Sequence, residues 1–472
     1  MSNKPDQNGM QKPISQGDSA QNTIQEILQK VNLTPEQAIT LLQQTEIAYG
    51  RLIPRQLLTL LDRNSIIDVK LGDQIERKLT IMFSDIRNFT PLSESMTPSE
   101  NFEFINSYLS QMEPVIGKHH GIIDKYMGDT IMALYTQSAD DAVRGSIAIL
   151  EKLQHYNAGR ARAGYVPISV GIGLNSGMVI IGTVGGANRM DSTVIGDAVN
   201  LASRIEEATK TYHVPLLISQ NTLYDLADST KYDIRFLDRI RVKGKSQPLS
   251  IYEVFDNDHT DLREGKRASK GLFERAIACY HLKKIPQAME LLAQCIQIAP
   301  YDVPAHIYLS RCEEFVTNGK HLTTGELNVP MEWQREFNIG VAEIDKSHES
   351  LFNNINNFIE KIQQGDQSGI SDILSSLASH SKTFFKVEEE LMELNKYLFL
   401  ESHLQEHKRF IENFMALAQE AEAGTSDPHY LSFRTQLLVF DWFTGHIAKT
   451  DRHMGRHLLG STRVTSEKVS SV

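Results

Sequence analysis

The spacing of apolar positions changes several times along the chain, and each change marks a new element. Residues 1–22 are Gln, Asn, Ser, Gly and Pro with almost nothing to bury, which predicts a disordered tail. Between 23 and 77 the pattern is helical. Ile24, Ile27, Leu28 and Val31 recur at helical spacing. A second helix is expected from Thr34-Pro35-Glu36-Gln37, with Thr as cap, Pro in the first turn and Gln at the capping-box position. A third runs from about Pro54 through Leu57, Leu58, Leu60 and Leu61. From 78 the pattern turns to strands. Residues 79–83 read as a buried strand, and Thr97-Pro98-Ser99-Glu100 opens a long helix through Phe104, Ile105, Leu109 and Met112. Residues 121–126, a Met127-Gly128 turn and residues 129–135 read as a hairpin. A helix over 139–156 follows, then a strand over 168–174 that leads into a Gly-rich stretch ending at Gly186. A helix over 197–211 and strands at 215–219, 234–242 and 248–255 complete the region. Alternating strands and helices interrupted by hairpins predict a mixed sheet with helices on its outer faces.

Residues 256–268, DNDHTDLREGKRA, are charged and polar and read as a linker. Residues 269–316 are helical, and Ala276, Tyr280, Ala288, Leu292 and Pro300 fit the 34-residue helix-turn-helix repeat called TPR. One such unit cannot bury its own face, so it must dock, on a neighbouring domain or on a protein partner. Residues 317–330 read as a second linker. From 331 to 460, amphipathic segments at 345–362, 370–394, 401–422 and 430–452 predict a four-helix bundle, followed by a tail over 461–472. The fold class is thus multidomain, α+β followed by all-α.

Composition narrows the function. A chain of 472 residues suggests about three domains. With 48 Lys+Arg against 59 Asp+Glu, the net charge of −11 argues against nucleic-acid binding and against an anionic membrane surface. No apolar run reaches the ~18–20 residues of a transmembrane helix, and the polar N-terminus is no secretory signal. Cys279, Cys295 and Cys312 fall in one helical stretch and read as reduced thiols, which points to the cytoplasm.

Two groups of residues carry chemistry. Asp85 ends a hydrophobic strand in Phe83-Ser84-Asp85-Ile86-Arg87-Asn88-Phe89-Thr90, and Asp129 follows the turn in Asp124-Lys125-Tyr126-Met127-Gly128-Asp129. Two carboxylates at strand ends can hold Mg²⁺, although either alone is more often a turn residue. After Thr193-Val194-Ile195-Gly196-Asp197, Asn200 and Arg204 lie four apart and share one helix face, where an Arg can neutralise phosphate. With the Gly-rich S-G-M-V-I-I-G at 176–182 in sequence between them, these motifs make 78–255 resemble the catalytic domain of the class III nucleotide cyclases, closely the bacterial adenylate cyclase branch. The resemblance implies a ferredoxin-like mixed sheet and a pair of Mg²⁺ or Mn²⁺ ions held by Asp85, Asp129 and the Ile86 carbonyl. The 3′-oxygen of ATP would attack its own α-phosphorus and pyrophosphate would leave. Asn200 would orient the ribose, Arg204 would meet charge on the α-phosphate, and Lys243 would bind the terminal phosphates, with Lys245 as its competitor. Lys125 and Thr193 occupy the base-reading positions. Lys125 can donate to adenine N1 and Thr193 can accept from its amino group, whereas cyclases that use GTP place an acid where Lys125 stands. Lys and Thr together also resemble the subgroup associated with bicarbonate responsiveness. Ser169 departs from relatives that carry a phosphate-contacting Arg there. In this family the metal acids come from one protomer and the base-reading, Asn and Arg residues from the other, which implies a head-to-tail homodimer.

The bundle carries the second group: His348, Glu388, His403, His407, His446 and Asp451. Imidazoles one turn apart, with an acid or His on each of four helices, suit a metal. With Trp333, the elements I-D-x-x-H, E-E-x-L-M, H-x-x-x-H and H-x-x-x-x-D make 333–459 resemble the hemerythrin family. The resemblance implies a non-haem di-iron centre with Glu388 and Asp451 bridging. One iron would take His403, His407 and His446; the other retains only His348, because its second His falls on Phe384. His380 lies one turn further back. The implied function is an adenylate cyclase regulated by a metal-, oxygen- or redox-sensing bundle. The rivals are a guanylate cyclase, opposed by Lys125, and a non-catalytic sensing scaffold, opposed by the complete residue set. A metal-free bundle with relic histidines stays open.

Overall fold

Two short helices come before the sheet. In the computed structural model, which describes residues 35–49, 55–63, 65–186, 189–241, 248–319, 333, 335–363, 370–424 and 427–459, they are α1 (Pro35–Tyr49) and α2 (Arg55–Leu60). They belong to a unit of their own, Met1–Val69. The helix expected at 24–31 and both terminal tails lie outside the described residues.

The second unit, Lys70–Val472, starts on β1 (Gln74–Ile86), which is continuously buried from Leu79 to Ser84. α3 (Phe89–Glu94) and α4 (Pro98–Lys118) follow, and α4 opens on the expected capping box: Thr97 Oγ1 accepts from the Glu100 N–H, and Glu100 accepts from the Thr97 N–H at 2.8 Å. β2 (Gly121–Met127) and β3 (Thr130–Tyr135) form the hairpin. Its turn is Gly128-Asp129, one residue later than the sequence suggests, with Gly128 at φ +67°, a backbone state that favours glycine. Then come α5 (Ala139–Arg162), β4 (Val170–Gly186), β5 (Arg189–Ile195), α6 (Asp197–Tyr212), β6 (Leu216–Ser219), α7 (Gln220–Asp225), β7 (Ile234–Arg241) and β8 (Pro248–Val254). The strand order is β2-β3-β1-β4-β6-β8-β7, with β5 added to β4, and only the β4–β6 pair is parallel.

Two-residue periodicity sorts the core. Leu216 and Ile218 pack with Phe104, Met112 and Val143 of α4 and α5, while Leu217 packs with Leu201, Ile205 and Tyr212 of α6. The Gly-rich stretch after 174 continues the seventeen-residue β4. Just before it, Gly173 admits α6. A Cβ on Gly173 would lie 2.2 Å from the Glu206 nitrogen and 2.7 Å from the Ala202 oxygen. This close approach presses the helix that carries Asn200 and Arg204 onto the sheet.

The charged stretch at 256–268 is not a free linker either. Helix α8 (Thr260–His281) begins inside it, and its charges are paired rather than solvated. Lys266 is buried between Glu253 at 2.6 Å and Asp258 at 2.5 Å, and Arg267 reaches Asp233 at 2.7 Å. With α9 (Ile285–Ile298) and α10 (Val303–Asn318) it forms a helical layer on β7, β8 and α6. Fully buried Arg235 fastens that layer, bonding Glu253 at 2.6 Å and both oxygens of Asp302 at 2.6 and 2.7 Å. The repeat-like positions Ala276, Tyr280, Ala288 and Leu292 are buried in one core with Leu237, Leu249 and Ile251 of the sheet domain. The expected docking is therefore onto that domain, and a protein partner for this segment gains no support.

The bundle consists of α11 (Ala342–Gln363), α12 (Ile370–Leu394), α13 (Leu400–Glu422) and α14 (Pro428–Trp442). The last helix continues as a π-helix, Phe443–Asp451, and then as α-helix over 452–459. Phe433 and Leu437 of α14 join the sheet-domain core, and Tyr224 of α7 joins the bundle core. Beside these contacts lies a cavity of about 430 Å³ whose lining includes Lys78, Asp225, Tyr397, Glu406, Arg409 and Trp442.

Candidate active site and metal centre

The hairpin turn and the end of β1 bring two acids together. Asp85 accepts from Thr130 Oγ1 at 2.7 Å and pairs with Lys210 Nζ at 2.8 Å; Asp129 accepts from the Ile86 N–H at 3.2 Å. Burial and then the neighbouring Asp85 charge push the Asp129 carboxyl up to about 6. Burial also raises Asp85, but hydrogen bonds from Lys210 and Thr130 outweigh it and hold that carboxyl below its usual range. Two neighbouring carboxylates, one of them pushed up by burial and by its neighbour's charge, suit a hard divalent cation with oxygen ligands. Three further residues to which the sequence motifs assign no role ring this pair: Glu206, Lys210 and Arg87, the last within the Phe83–Thr90 motif. Glu206, raised to about 7 mainly by burial, lies 3.5 Å from Arg87 Nη1 and 3.7 Å from Lys210 Nζ. The Glu206–Lys210 spacing of four on α6 was the available signal.

The other predicted residues stand apart from the acids. Lys210 touches Asp85, and Arg204 and Asn200 lie six and ten residues back along α6. At ~1.5 Å rise per residue that is roughly 9 and 15 Å along the axis. Asn200 is exposed and Arg204 half-buried. Thr193 sits on β5 opposite Gly182 of β4. Lys125, on β2, pairs with Asp124 at 3.2 Å. Ser169 is exposed, and its carbonyl accepts from the Arg87 N–H at 2.8 Å. Lys243 and Lys245 lie outside the described residues.

The bundle gathers all six of its predicted ligands. Glu388, His403, His407, His446 and Asp451 are buried, and one ligand atom from each lies within 4.8 Å of all the others. Two ligands at ~2.0–2.2 Å on opposite sides of an ion would be about 4.2 Å apart, so the cluster has the size of a metal site. The carboxylates divide their oxygens. Glu388 Oε2 is 3.1 Å from His407 Nε2 and Asp451 Oδ1 is 3.1 and 3.0 Å from His403 and His446 Nε2. Glu388 Oε1 and Asp451 Oδ2 instead face His348 Nε2, at 2.7 and 3.4 Å. The geometry is that of two carboxylates spanning a three-His side and a one-His side. The Nε2 atoms of His403, His407 and His446, Glu388 Oε2 and both Asp451 oxygens are buried without a properly directed hydrogen bond. Such a set fits a cation.

The π-turn explains a spacing the sequence left unexplained. On an α-helix, residues five apart point some 140° away from each other. The π-helix, with its i→i+5 bonds, brings His446 and Asp451 onto one face. Around the ligands, Glu389 lies 3.0 Å from His407 Nδ1 and Glu406 lies 2.6 Å from His446 Nδ1. Burial lowers His446, but Asp451 and Glu406 more than offset it and raise the imidazole to about 10. Glu388 is held down to about 2, against burial and the Asp451 charge, by His348 and His407. Phe384 packs against the bundle core. His380 does not replace it: the ring is exposed, and its Nδ1 lies 2.8 Å from the Ser376 carbonyl on its own helix.

Comparison with known proteins agrees with this division. Residues 73–255 match the adenylate and guanylate cyclase catalytic domain, and residues 339–458 match the hemerythrin HHE cation binding domain. The chain is 36% identical over 281 residues to the terminal-differentiation specific adenylate cyclase of Dictyostelium discoideum, covering 58% of this chain and 13% of that protein. It is 41% identical over 219 residues to an adenylate cyclase of Anabaena cylindrica, covering 45% of this chain and 44% of that one. The chain thus spans less than half the length of either relative. The solved structure of the guanylyl cyclase Cya2 is similar at 33% identity and a TM-score of 0.36, covering 38% of this chain and 92% of that chain. Among the described residues no helix is long and apolar enough to cross a membrane.

Asp129 makes a pH prediction. Its folded value of about 6 exceeds the unfolded ~3.9, so the protonated acid favours the fold. That contribution is complete below about pH 4 and lost as pH rises through 6. Asp129→Asn should therefore raise the thermal midpoint at pH 7.5 and change it little below pH 4. Millimolar Mg²⁺ or Mn²⁺ should raise the midpoint of the unmodified chain at pH 7.5 and not that of the variant.

Proposed function

We propose that this chain, which carries a class III nucleotide cyclase domain and a C-terminal hemerythrin HHE domain, is an adenylate cyclase that works as a homodimer and is regulated by metal bound in its bundle. The observation that carries the reading is the Asp85–Asp129 pair at the end of β1, with Asp129 pushed up to about 6. These acids, with the Ile86 carbonyl, would hold Mg²⁺ or Mn²⁺. The bound metal supplies acidity to the ribose 3′-hydroxyl and a clamp on the triphosphate. The 3′-oxygen then forms a bond to the α-phosphorus, the bond to pyrophosphate breaks, and the hydroxyl proton leaves to solvent. Arg204 meets the charge that grows on the α-phosphate, and Asn200 holds the ribose. Lys243 is proposed for the terminal phosphates.

Base choice follows from donors and acceptors. Lys125 donates to adenine N1 and Thr193 accepts from the 6-amino group. Guanine presents the opposite pattern and would leave both unpaired, a strong basis for rejection. Distance supports the homodimer. Roughly 15 Å of helix separates Asn200 from the residue that touches Asp85, in keeping with one chain's acids working with the Asn200 and Arg204 of a second chain. In the bundle, His403, His407 and His446 with the two acids suit iron, and the one-His side is too poor to match it. Reversible O₂ binding, which needs both irons, would be impaired.

Asp85→Ala or Asp129→Ala should lower cyclic AMP formation at least ~10³-fold, the equivalent of several kcal/mol of metal assistance. Mixing Asp85→Ala with Asn200→Ala chains should restore activity, because each heterodimer has one complete site. Failure to recover with heterodimers formed would contradict the shared site. For the bundle, metal analysis of protein expressed with iron should find about one iron per chain beyond any in the cyclase site, by analogy with complete three-His ligation alone. Two irons with an oxygen-dependent charge-transfer band would contradict it.

A further inference from the structure

The bundle's ligands are held by residues around them, and one of those tethers leaves the bundle. His407 Nδ1 is met by Glu389 of α12, inside the bundle. His403 Nδ1 is buried without a hydrogen bond. His446 Nδ1 is met by Glu406 Oε2 at 2.6 Å, and Thr450 Oγ1 donates to the same oxygen at 3.2 Å. The other oxygen of Glu406 is 2.7 Å from Lys78 Nζ, a residue of β1 in the cyclase domain. Lys78 is held in turn by Asp225 of α7 at 2.9 Å, and Arg409 of the bundle closes the cluster by reaching Asp225 at 3.2 Å.

We infer that the cyclase domain supplies a positioning residue for the bundle's metal centre: Lys78 fixes Glu406, which orients His446 so that Nε2 faces the metal. This rests on the reading that His403, His407 and His446 hold a metal. A carboxylate offers only acceptors, so Nδ1 of His446 must be the donor to Glu406, which leaves Nε2, 3.0 Å from Asp451 Oδ1, as the nitrogen that can ligate once a metal replaces its proton. Carboxylate partners of this kind set the tautomer and basicity of metal-bound imidazoles. Glu406 can do so only while its own position is held, and one of its two oxygens is held by Lys78. That residue lies 328 positions away in sequence, on the strand that ends in Asp85. Linkage makes the effect reciprocal: whatever Lys78 adds to metal affinity, bound metal adds to the Lys78–Glu406 contact. Metal in the bundle is thereby felt on β1 through two hydrogen bonds.

The test uses the full chain, freed of metal and titrated with Co²⁺ against a chelator while visible absorption is recorded. Lys78→Gln should loosen Co²⁺ binding in the bundle about tenfold, the lower end for loss of an outer-shell partner, and shift the visible bands. Lys78→Met provides a second version of the same loss. Lys78→Arg, which keeps the cation, should return both affinity and spectrum towards those of the unmodified chain, a rescue that a general loosening of the fold would not show. Asp225→Asn leaves the Lys78–Glu406 contact and should matter less than Lys78→Gln. Unchanged affinity and spectrum in Lys78→Gln and Lys78→Met would overturn the inference and leave the metal reading standing. An unmodified chain whose bundle takes up no Co²⁺ would overturn the metal reading and the inference with it.

Discussion

Strand β1 is the constraint on which both chemistries depend. It is paired without interruption against β4 from Gln74↔Gly182 to Ile86↔Val170, and against β3 along its buried half. Lys78 and Asp85 are seven residues apart on it, about 23 Å, and the odd separation places them on opposite faces. A slip of one residue would exchange those faces, moving Asp85 away from Thr130 and Lys210 and Lys78 away from Glu406. The continuous burial from Leu79 to Ser84 is what excludes such a slip.

Both candidate sites gather acids, but with a different charge balance. At the end of β1, burial and the Asp85 charge push Asp129 up to about 6, whereas in the bundle, against burial, the imidazoles hold Glu388 and Asp451 below their usual range. In the bundle, three imidazoles and two carboxylates face one another with their hydrogen bonding unfinished. Two buried cations elsewhere are completed. Arg235 has Glu253 and both oxygens of Asp302, and Lys266 has Glu253 and Asp258. The contrast separates charge that holds domains together from charge that awaits a ligand.

Much of this was legible in the sequence where the signal is local. The Thr97–Glu100 capping box, the hairpin before Asp129 and the four bundle helices read from spacing alone, whereas the motif residues were pointed to by family resemblance. The misreadings share a cause, a local signal overridden by a distant partner. The Gly-rich stretch after 174 has no strand signal of its own because glycine weakens strands, yet β4 runs through it to Gly186, paired with β1 and β5. Residues 256–268 look solvated because charge runs usually are, yet Asp233, Glu253 and Asp258 neutralise Arg267 and Lys266. The π-turn was visible only as an awkward five-residue spacing between His446 and Asp451. Nothing near Lys78 in sequence points to Glu406, because that contact exists only once the bundle has docked.

The central claim is that one chain couples a cyclase to a metal-binding bundle. Its most direct test is the rate at which the purified full chain forms cyclic AMP from ATP at fixed Mg²⁺, with the bundle stripped of iron and then reloaded. The account predicts cyclic AMP formation in both states at rates that differ reproducibly. Identical rates with and without bundle iron, or no cyclic AMP in either state, would contradict it.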